Sequence, residues 1–283
     1  SIKTQGTLTS NDTQSLTDAG FAPTAAIIEV FAKNFSAHPG VHDGYYHSIG
    51  FVDGDDCQCS AGIYAGDNVS GSSKADRAFS NSHCIFVPND GAGTLIKATG
   101  ALTGNGIDLD YSSSDGSART MAITYFRGPR MEVVTDTQAT ANGTKSTSGS
   151  FQAIGGWFVT HMGTTTSSAA HNGHVVGISN GINHRCIGIK HRDATSSALA
   201  DSWYTDDAVL EMFNVVTDAD IGKAVPSFPS GGGVDMAWTN VDGYARRWGA
   251  LLIGEKLASA QIESSGQIPP QEVGPNVYIP VPF

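Results

Sequence analysis

The chain is short of charged residues. Asp, Glu, Lys and Arg make up 15% of its 283 residues, and the excess of acidic over basic side chains gives a formal net charge of −11. A nucleic-acid-binding protein needs a basic surface that displaces the counterions of phosphate, so this balance argues against such a function. Hydrophobic residues still reach 40%, which is enough apolar material for a folded core.

Cysteine and long apolar runs are also scarce. Four cysteines are too few to hold a chain of this length together as a disulfide-rich secreted module. No apolar run approaches the roughly 20 residues that cross a membrane. The polar start, SIKTQGTLTS, does not resemble a signal peptide, so we expect synthesis in a reducing cytoplasm.

What the sequence does contain is an internal repeat. The segments 104–119 and 231–246 share glycines, an Ile/Val-Asp pair, an aromatic residue and a closing D-G-x-A-R. We interpret the chain as two homologous domains, 1–128 and 129–256, followed by a tail at 257–283. Further aligned pairs, at the same spacing or after a small change in loop length, are His47 with His174, Cys59 with Cys186, and Phe21 with Phe151.

The repeated segments have the alternation of β-strands. Ile107, Leu109 and Tyr111 alternate with acidic residues, a period of two that is typical of a strand with one buried face. A second alternating run follows the Asp-Gly turn, which predicts a hairpin in each repeat. Helix signals are limited to 206–213 and 255–262. Short strands and Gly-rich turns therefore predict an all-β protein of two tandem jelly-roll-like β-sandwich domains.

Each predicted hairpin carries an arginine after its turn. We expect the guanidinium to pair with a neighbouring carboxylate, such as Asp108 in the first repeat or Asp235 in the second, and so to fix the register. A functional alternative is that these arginines bind an acidic ligand. The residues of this structural hairpin are Asp108, Asp115, Gly116, Arg119, Asp235, Asp242, Gly243 and Arg246.

The tail alternates prolines with apolar residues and predicts an extended arm. Proline cannot donate a hydrogen bond to a central sheet ladder, so these residues do not suit a core strand. An apolar arm would be covered either by its own domains or by a partner. The residues that we expect to dock are Pro269, Pro270, Val277, Tyr278, Ile279, Val281 and Phe283.

Metal and cofactor motifs are weak. Asp53, Asp55 and Asp56 resemble a calcium loop in composition, but they lack its alternating ligands and closing Glu. The histidines near 38–47 do not show the spacing that would require a zinc site. We therefore expect no metal and no cofactor, with the three aspartates as weak candidates only.

Aromatic residues in polar surroundings supply a second kind of candidate. Tyr45, Tyr46, Trp203 and Tyr204 could stack on a sugar, although single aromatics of this kind usually pack at the rim of a domain. A hydrolase would need two carboxylates at a defined separation, and nothing in the sequence pairs them.

Four features of the first repeat occur together in one order. Gly20–Pro23 reads Gly-Phe-x-Pro before an apolar strand, and Ile49–Phe51 is an apolar-Gly strand. An Arg-x-Phe-Ser stretch before Cys-Ile follows at 77–85, and an alternating strand, Asp-Gly turn and Ala-Arg close the unit at 106–126. This combination resembles a domain of virion proteins of tailed bacteriophages. The second repeat shares the closing strand, Asp-Gly turn and Ala-Arg pair, but it lacks the proline and the Arg-x-Phe-Ser stretch with its Cys-Ile.

The resemblance implies a non-enzymatic structural protein of a phage or phage-like virion, as a capsid decoration, fibre or tail-associated component. Its expected partners are copies of itself and other virion proteins, and its expected location is the particle, after synthesis in the host cytoplasm. The alternative is a glycan-binding appendage that recognises the host surface.

Overall fold

The computed structural model describes residues 1–31, 44–66, 74–88, 94–163, 167–169, 171–192, 199–214 and 217–256. These residues form β-strands joined by turns and loops, and no helix occurs within these ranges. Accordingly, none of the described residues form a helix that could span a membrane. The predicted all-β class is confirmed.

Twenty-one strands are present in the described ranges. Those of the first repeat are β1 (Ile2–Gly6), β2 (Thr13–Leu16), β3 (Ala25–Phe31), β4 (Gly44–Asp53), β5 (Gln58–Gly66), β6 (Lys74–Ser80), β7 (Ile85–Pro88), β8 (Thr94–Thr103), β9 (Gly106–Ser113) and β10 (Thr120–Phe126). Those of the second repeat are β11 (Pro129–Thr137), β12 (Gly143–Thr147), β13 (Ala153–His161), β14 (Ser167–Ala169), β15 (His171–Ser179), β16 (His184–Arg192), β17 (Leu199–Thr205), β18 (Leu210–Phe213), β19 (Asp220–Ser227), β20 (Val234–Thr239) and β21 (Arg247–Lys256).

The strands form four antiparallel sheets with one topology used twice. The first repeat has an inner sheet in the order β1-β10-β3-β4-β5-β6 and an outer sheet in the order β2-β9-β8-β7. The second repeat has an inner sheet in the order β11-β21-β13-β15-β16-β17 and an outer sheet in the order β12-β20-β19-β18. The short strand β14 is an addition, because it extends the first inner sheet by pairing with β6. The sequence repeat is thus a repeat of strand order.

Three apolar layers separate the four sheets. One lies between the inner and outer sheets of the first repeat and contains Ile28, Leu109 and Tyr111. A second lies in the corresponding place in the second repeat and contains Trp238 and Trp248. The third lies between the two inner sheets. Each inner sheet is therefore buried on both faces over much of its area, and each outer sheet on one.

The predicted hairpins are wrong. Strand β9 pairs with β2 and β8 in the outer sheet, whereas β10 pairs with β1 and β3 in the inner sheet. The Asp115-Gly116 turn is therefore a corner between sheets, and Asp242-Gly243 is the same corner in the second repeat. Both glycines have a positive φ, 76° and 85°. The alternation arises because the two strands face each other across the core, and alternation alone does not say which sheet holds a strand.

Two further sequence interpretations are corrected. Cys59 and Cys186 are not equivalent, because Cys59 lies opposite Phe51 and Cys186 lies opposite Gly177, so the two thiols face different apolar layers. The helix expected at 206–213 is absent: Leu210–Phe213 is strand β18. The other expected helix begins inside β21 at Glu255, and the remainder lies outside the described residues.

A glycine at the same place in both repeats lets the sandwich close. A Cβ on Gly50 would come within 1.9 Å of the carbonyl oxygen of Cys84, and one on Gly177 within 1.8 Å of that of Val209. These carbonyls belong to the segments that lead into β7 and β18. The close approach of backbone to backbone explains why both repeats carry an apolar-Gly strand here.

Gly177→Ala should therefore destabilise the fold by about 3 kcal/mol or more, because no side chain can move aside to relieve a clash with backbone. Urea unfolding measures the loss. Gly231→Ala is the matched control, since nothing lies within 4 Å of its Cβ position. Equal stability of the two variants would contradict this account of the glycine.

Candidate functional site

The layer between the two inner sheets joins the repeats and is the first candidate site. From the first repeat it contains Ile49, Phe51 and Phe79, and from the second Val159 and Leu251, all buried. The two sheets approach closely, because a Cβ on Gly249 would come within 2.4 Å of the Cys59 sulfur. The repeats are thus joined by a packed core.

A buried carboxylate adds a polar contact to this layer. Asp53 is 1% exposed, and its Oδ2 accepts the backbone N–H of Val133 in the second repeat at 2.6 Å. Its Oδ1 accepts the N–H groups of Asp55 and Cys57, both at 3.0 Å, which closes the turn after β4. Burial raises the pKa of Asp53, and the three amide hydrogen bonds oppose that rise. Both carboxylate oxygens of Asp53 therefore accept hydrogen bonds from backbone amides.

This geometry bears on the calcium candidate. Asp55 and Asp56 are exposed, whereas Asp53 points at amide donors in the interior. No group of three or more His, Cys, Asp or Glu side chains in the described part of the chain could hold a metal ion. The structural role of Asp53 was missed in the sequence because its amide partner lies in the other repeat.

Asp53→Ala is expected to cost about 3 kcal/mol of stability, because it leaves the buried N–H of Val133 without an acceptor. Thermal unfolding with and without calcium checks this. Asp55→Ala, at an exposed neighbour, should change stability by no more than about 0.5 kcal/mol. A calcium-dependent rise in the melting temperature of the wild type that is lost in Asp53→Ala would instead indicate a cation site.

Two equivalent histidines meet in the same layer. His47 and His174 are both buried, and Nδ1 of His47 lies 3.1 Å from Nε2 of His174. Burial lowers the pKa of His47 to about 4 and lowers that of His174 as well. A third buried ring, His161, accepts the N–H of Gly163 and packs against Phe79. The repeat alignment matched His47 with His174, but it could not show that they touch.

Arg119 and Arg246, the arginines that follow the two corner turns, do pair with carboxylates, but not with the carboxylates that the sequence suggested. Arg119 pairs with Asp115 and Arg246 with Asp242, each four residues earlier in the corner itself. Asp108 and Asp235, the partners that the sequence suggested, lie on strands β9 and β20 of the outer sheets. Burial raises the pKa of Asp242, but its bonds from Arg246 outweigh this, so the pKa is lowered overall.

The aromatic candidates do not form one surface. Tyr46 packs on the first core and lies 4.9 Å from Tyr64 between ring centres. Trp203 packs on the second core and donates to the carbonyl of Glu211. Tyr204, the next residue, points to the opposite face and is 80% exposed. The side chain of Tyr45 lies outside the described residues.

The arm also lies outside the described residues, so its docking stays a prediction. That applies to Pro269, Pro270, Val277, Tyr278, Ile279, Val281 and Phe283.

A buried lysine was missed in the sequence altogether. Lys190 on β16 forms an ion pair with Asp218 and lies 3.4 Å from Asp201. No motif or spacing marks it, because its partners come from separate loops and strands.

No protein-family model, curated protein or solved structure matches the chain. Its function is therefore inferred from its own residues.

Proposed function

We propose that the chain is a non-enzymatic structural protein of a phage or phage-like virion, which assembles with copies of itself or with other virion proteins. The observation that carries the proposal is the four-sheet stack, in which one sandwich is built twice and joined face to face through a packed apolar layer. Such a stack suits a rigid building block of a particle.

The composition supports the same proposal. A net charge of −11 suits a protein on the outside of a particle better than one that faces packaged nucleic acid. Sparse charge together with abundant glycine, at 34 residues, suits surfaces that neighbouring subunits cover. The sub-location proposed is a capsid decoration, fibre or tail-associated position.

The direct test is to purify the particle and count copies of the chain by quantitative mass spectrometry. A fixed, symmetry-related copy number in intact particles is expected. Recovery of the chain only in the unassembled fraction would overturn the proposal.

Deleting residues 264–283 is expected to reduce incorporation into particles at least about tenfold, because an extended arm contributes many backbone and apolar contacts to a partner. The truncated and full-length chains should melt at the same temperature, since the deletion leaves β1 to β21 intact. Unchanged incorporation would show that the arm does not dock on a partner.

A further inference from the structure

The two inner sheets have the same strand order, but each uses a different half of its strands to contact the other repeat. Strands β4, β5 and β6 of the first inner sheet pack against β11, β21, β13 and β15 of the second. By strand order, β5 and β6 correspond to β16 and β17. Strands β16 and β17 of the second inner sheet therefore extend beyond the contact between the repeats.

Apolar residues occupy this extension. Ile49 pairs with Ala61, which pairs with Phe79, and all three are buried between the repeats. At the equivalent places Val176 pairs with Ile187, which pairs with Tyr204. Ile187 is 62% exposed and Tyr204 80% exposed. We call Arg185, Ile187 and Tyr204 the open face. The open face is continuous with the apolar layer between the two inner sheets, because Val176 packs against that layer.

In the described residues, the complementary half of the first inner sheet, β1, β10 and β3, lies largely outside the contact between the repeats. Val133, Val159 and Leu251 form much of the second repeat's contribution to the layer. Their equivalents in β1, β3 and β10 are Ile2, Glu29 and Thr124, by the same pairing registers. Ile2 is 65% exposed, and Glu29 is only partly buried. We call Ile2, Glu29, Phe31 and Ala122 the receiving face.

We propose that the open face of one chain binds the receiving face of a second copy of this chain, repeating between chains the contact that joins the two repeats within one. This rests on the proposed function and names its self-assembly surface. Because the two faces differ, the contact is head-to-tail, and successive copies form a ring or a filament.

Transferring the internal contact gives specific pairs. Phe79 packs against His161 at 6.0 Å between ring centres, so Tyr204 packs against Phe31 of the next copy. Cys59 lies over Gly249, so Arg185 lies over Ala122 of the next copy.

Ala122 is the cross-strand neighbour of Glu29. Arg185, which is exposed, therefore meets a carboxylate. The opposite charges of Arg185 and Glu29 favour this partner and this orientation.

The test uses purified full-length protein and measures mass against concentration by analytical ultracentrifugation. The wild type should associate further as concentration rises. Arg185→Glu and Glu29→Lys should each raise the dissociation constant at least about tenfold, because each places like charges together. An equimolar mixture of the two variants should associate as the wild type does, because every contact then joins opposite charges.

Ile182→Asp is the matched control. Ile182 is 83% exposed but lies in the turn between β15 and β16, off the open face, so this variant should behave as the wild type. Far-ultraviolet circular dichroism of each variant, expected to match the wild type, confirms that it is folded.

Three results would overturn the inference. A wild type that stays monomeric at all concentrations would show that no second copy binds, and the arm or another virion protein would then be the occupant. Association that Ile187→Asp leaves unchanged would place the contact elsewhere. Association that the mixture does not restore would indicate a symmetric contact. Incorporation into particles by a chain that stays monomeric would overturn this inference and leave the proposed function standing. Association in solution by a chain that is absent from particles would overturn the proposed function and leave this inference standing.

Discussion

Lowering the pH from 7 to 5 is expected to remove about 4 kcal/mol of folding stability through His47 and His161, about 2 kcal/mol for each. Burial lowers the pKa of His47 to about 4 and that of His161 to about 3, from an ordinary 6.5. For His161 the nearby guanidinium groups of Arg77, Arg246 and Arg247 add to the effect of burial.

The direction follows from which state binds the proton. Above pH 6.5 the rings are neutral in both states, and the full stability is present. As the pH falls through 6.5 the unfolded chain takes up protons that the folded chain refuses, so stability declines until the folded pKa is reached. His174 acts in the same direction, because its pKa is lowered by burial and by its neighbours His47 and His191. A loss of this size is a large part of the about 5–15 kcal/mol that holds a domain together.

The pair geometry adds a reason specific to this fold. With His47 Nδ1 and His174 Nε2 only 3.1 Å apart, one nitrogen donates and the other accepts. An added proton would place two N–H donors against each other, at the contact between the repeats. Acid should therefore weaken that contact.

Urea unfolding at pH 7, 6 and 5 measures the effect. His161→Gln should remove about 2 kcal/mol of the loss, whereas His184→Gln, at a partly exposed ring, should leave most of it. Burial raises the pKa values of Asp53, Glu29 and Glu211, which oppose the trend, so the comparison between variants isolates the histidines. The same stability at pH 7 and pH 5 in both variants and in the wild type would contradict the prediction.

The strand class was accessible from the sequence, whereas the pairing of strands was not. Alternation at Ile107, Leu109 and Tyr111 reports that one face is buried, and all three are buried against the first core. The same alternation arises whether the next strand is a hairpin partner or the facing strand of another sheet. The six residues between β9 and β10, longer than the usual two-residue hairpin loop, were the available sign that the chain crosses between sheets.

The repeat alignment was accurate where strands kept their register and failed where one residue was lost. It matched His47 with His174, which meet, and Gly50 with Gly177, which make the same close approach. It also matched Cys59 with Cys186, which face different layers. Contacts between the repeats, such as that of Asp53 with Val133, depend on how two sheets are placed in space. No periodicity within one segment encodes that placement. The virion function stays a prediction.

Arg246→Met should destabilise the protein by about 3 kcal/mol, since it removes the buried guanidinium that pairs with Asp242 and takes a donor away from the carbonyl of Met162 and from Gln138. Arg246 is 5% exposed. Its two terminal nitrogens each donate to Asp242 at 2.6 Å, and its Nε donates to the carbonyl of Met162 at 3.1 Å. Its Nη1 also lies 3.2 Å from Oε1 of Gln138 and 3.4 Å from the carbonyl of Ile221. These contacts tie the inner sheet of the second repeat to its outer sheet, because Ile221 lies in β19.

Three comparisons make the Arg246 result interpretable by urea unfolding. Arg247→Met changes the exposed neighbour and should cost no more than about 0.5 kcal/mol. Arg246→Lys keeps the charge but not the planar fork that binds Asp242 through two nitrogens, so it should recover only part of the loss. Arg119→Met, at the equivalent corner of the first repeat, should cost less than Arg246→Met, because the Arg119 side chain is more exposed, at 15% against 6%. Equal losses at the two corners would mean that the ion pair within each corner dominates, and that the bonds from Arg246 to Met162, Gln138 and Ile221 add little.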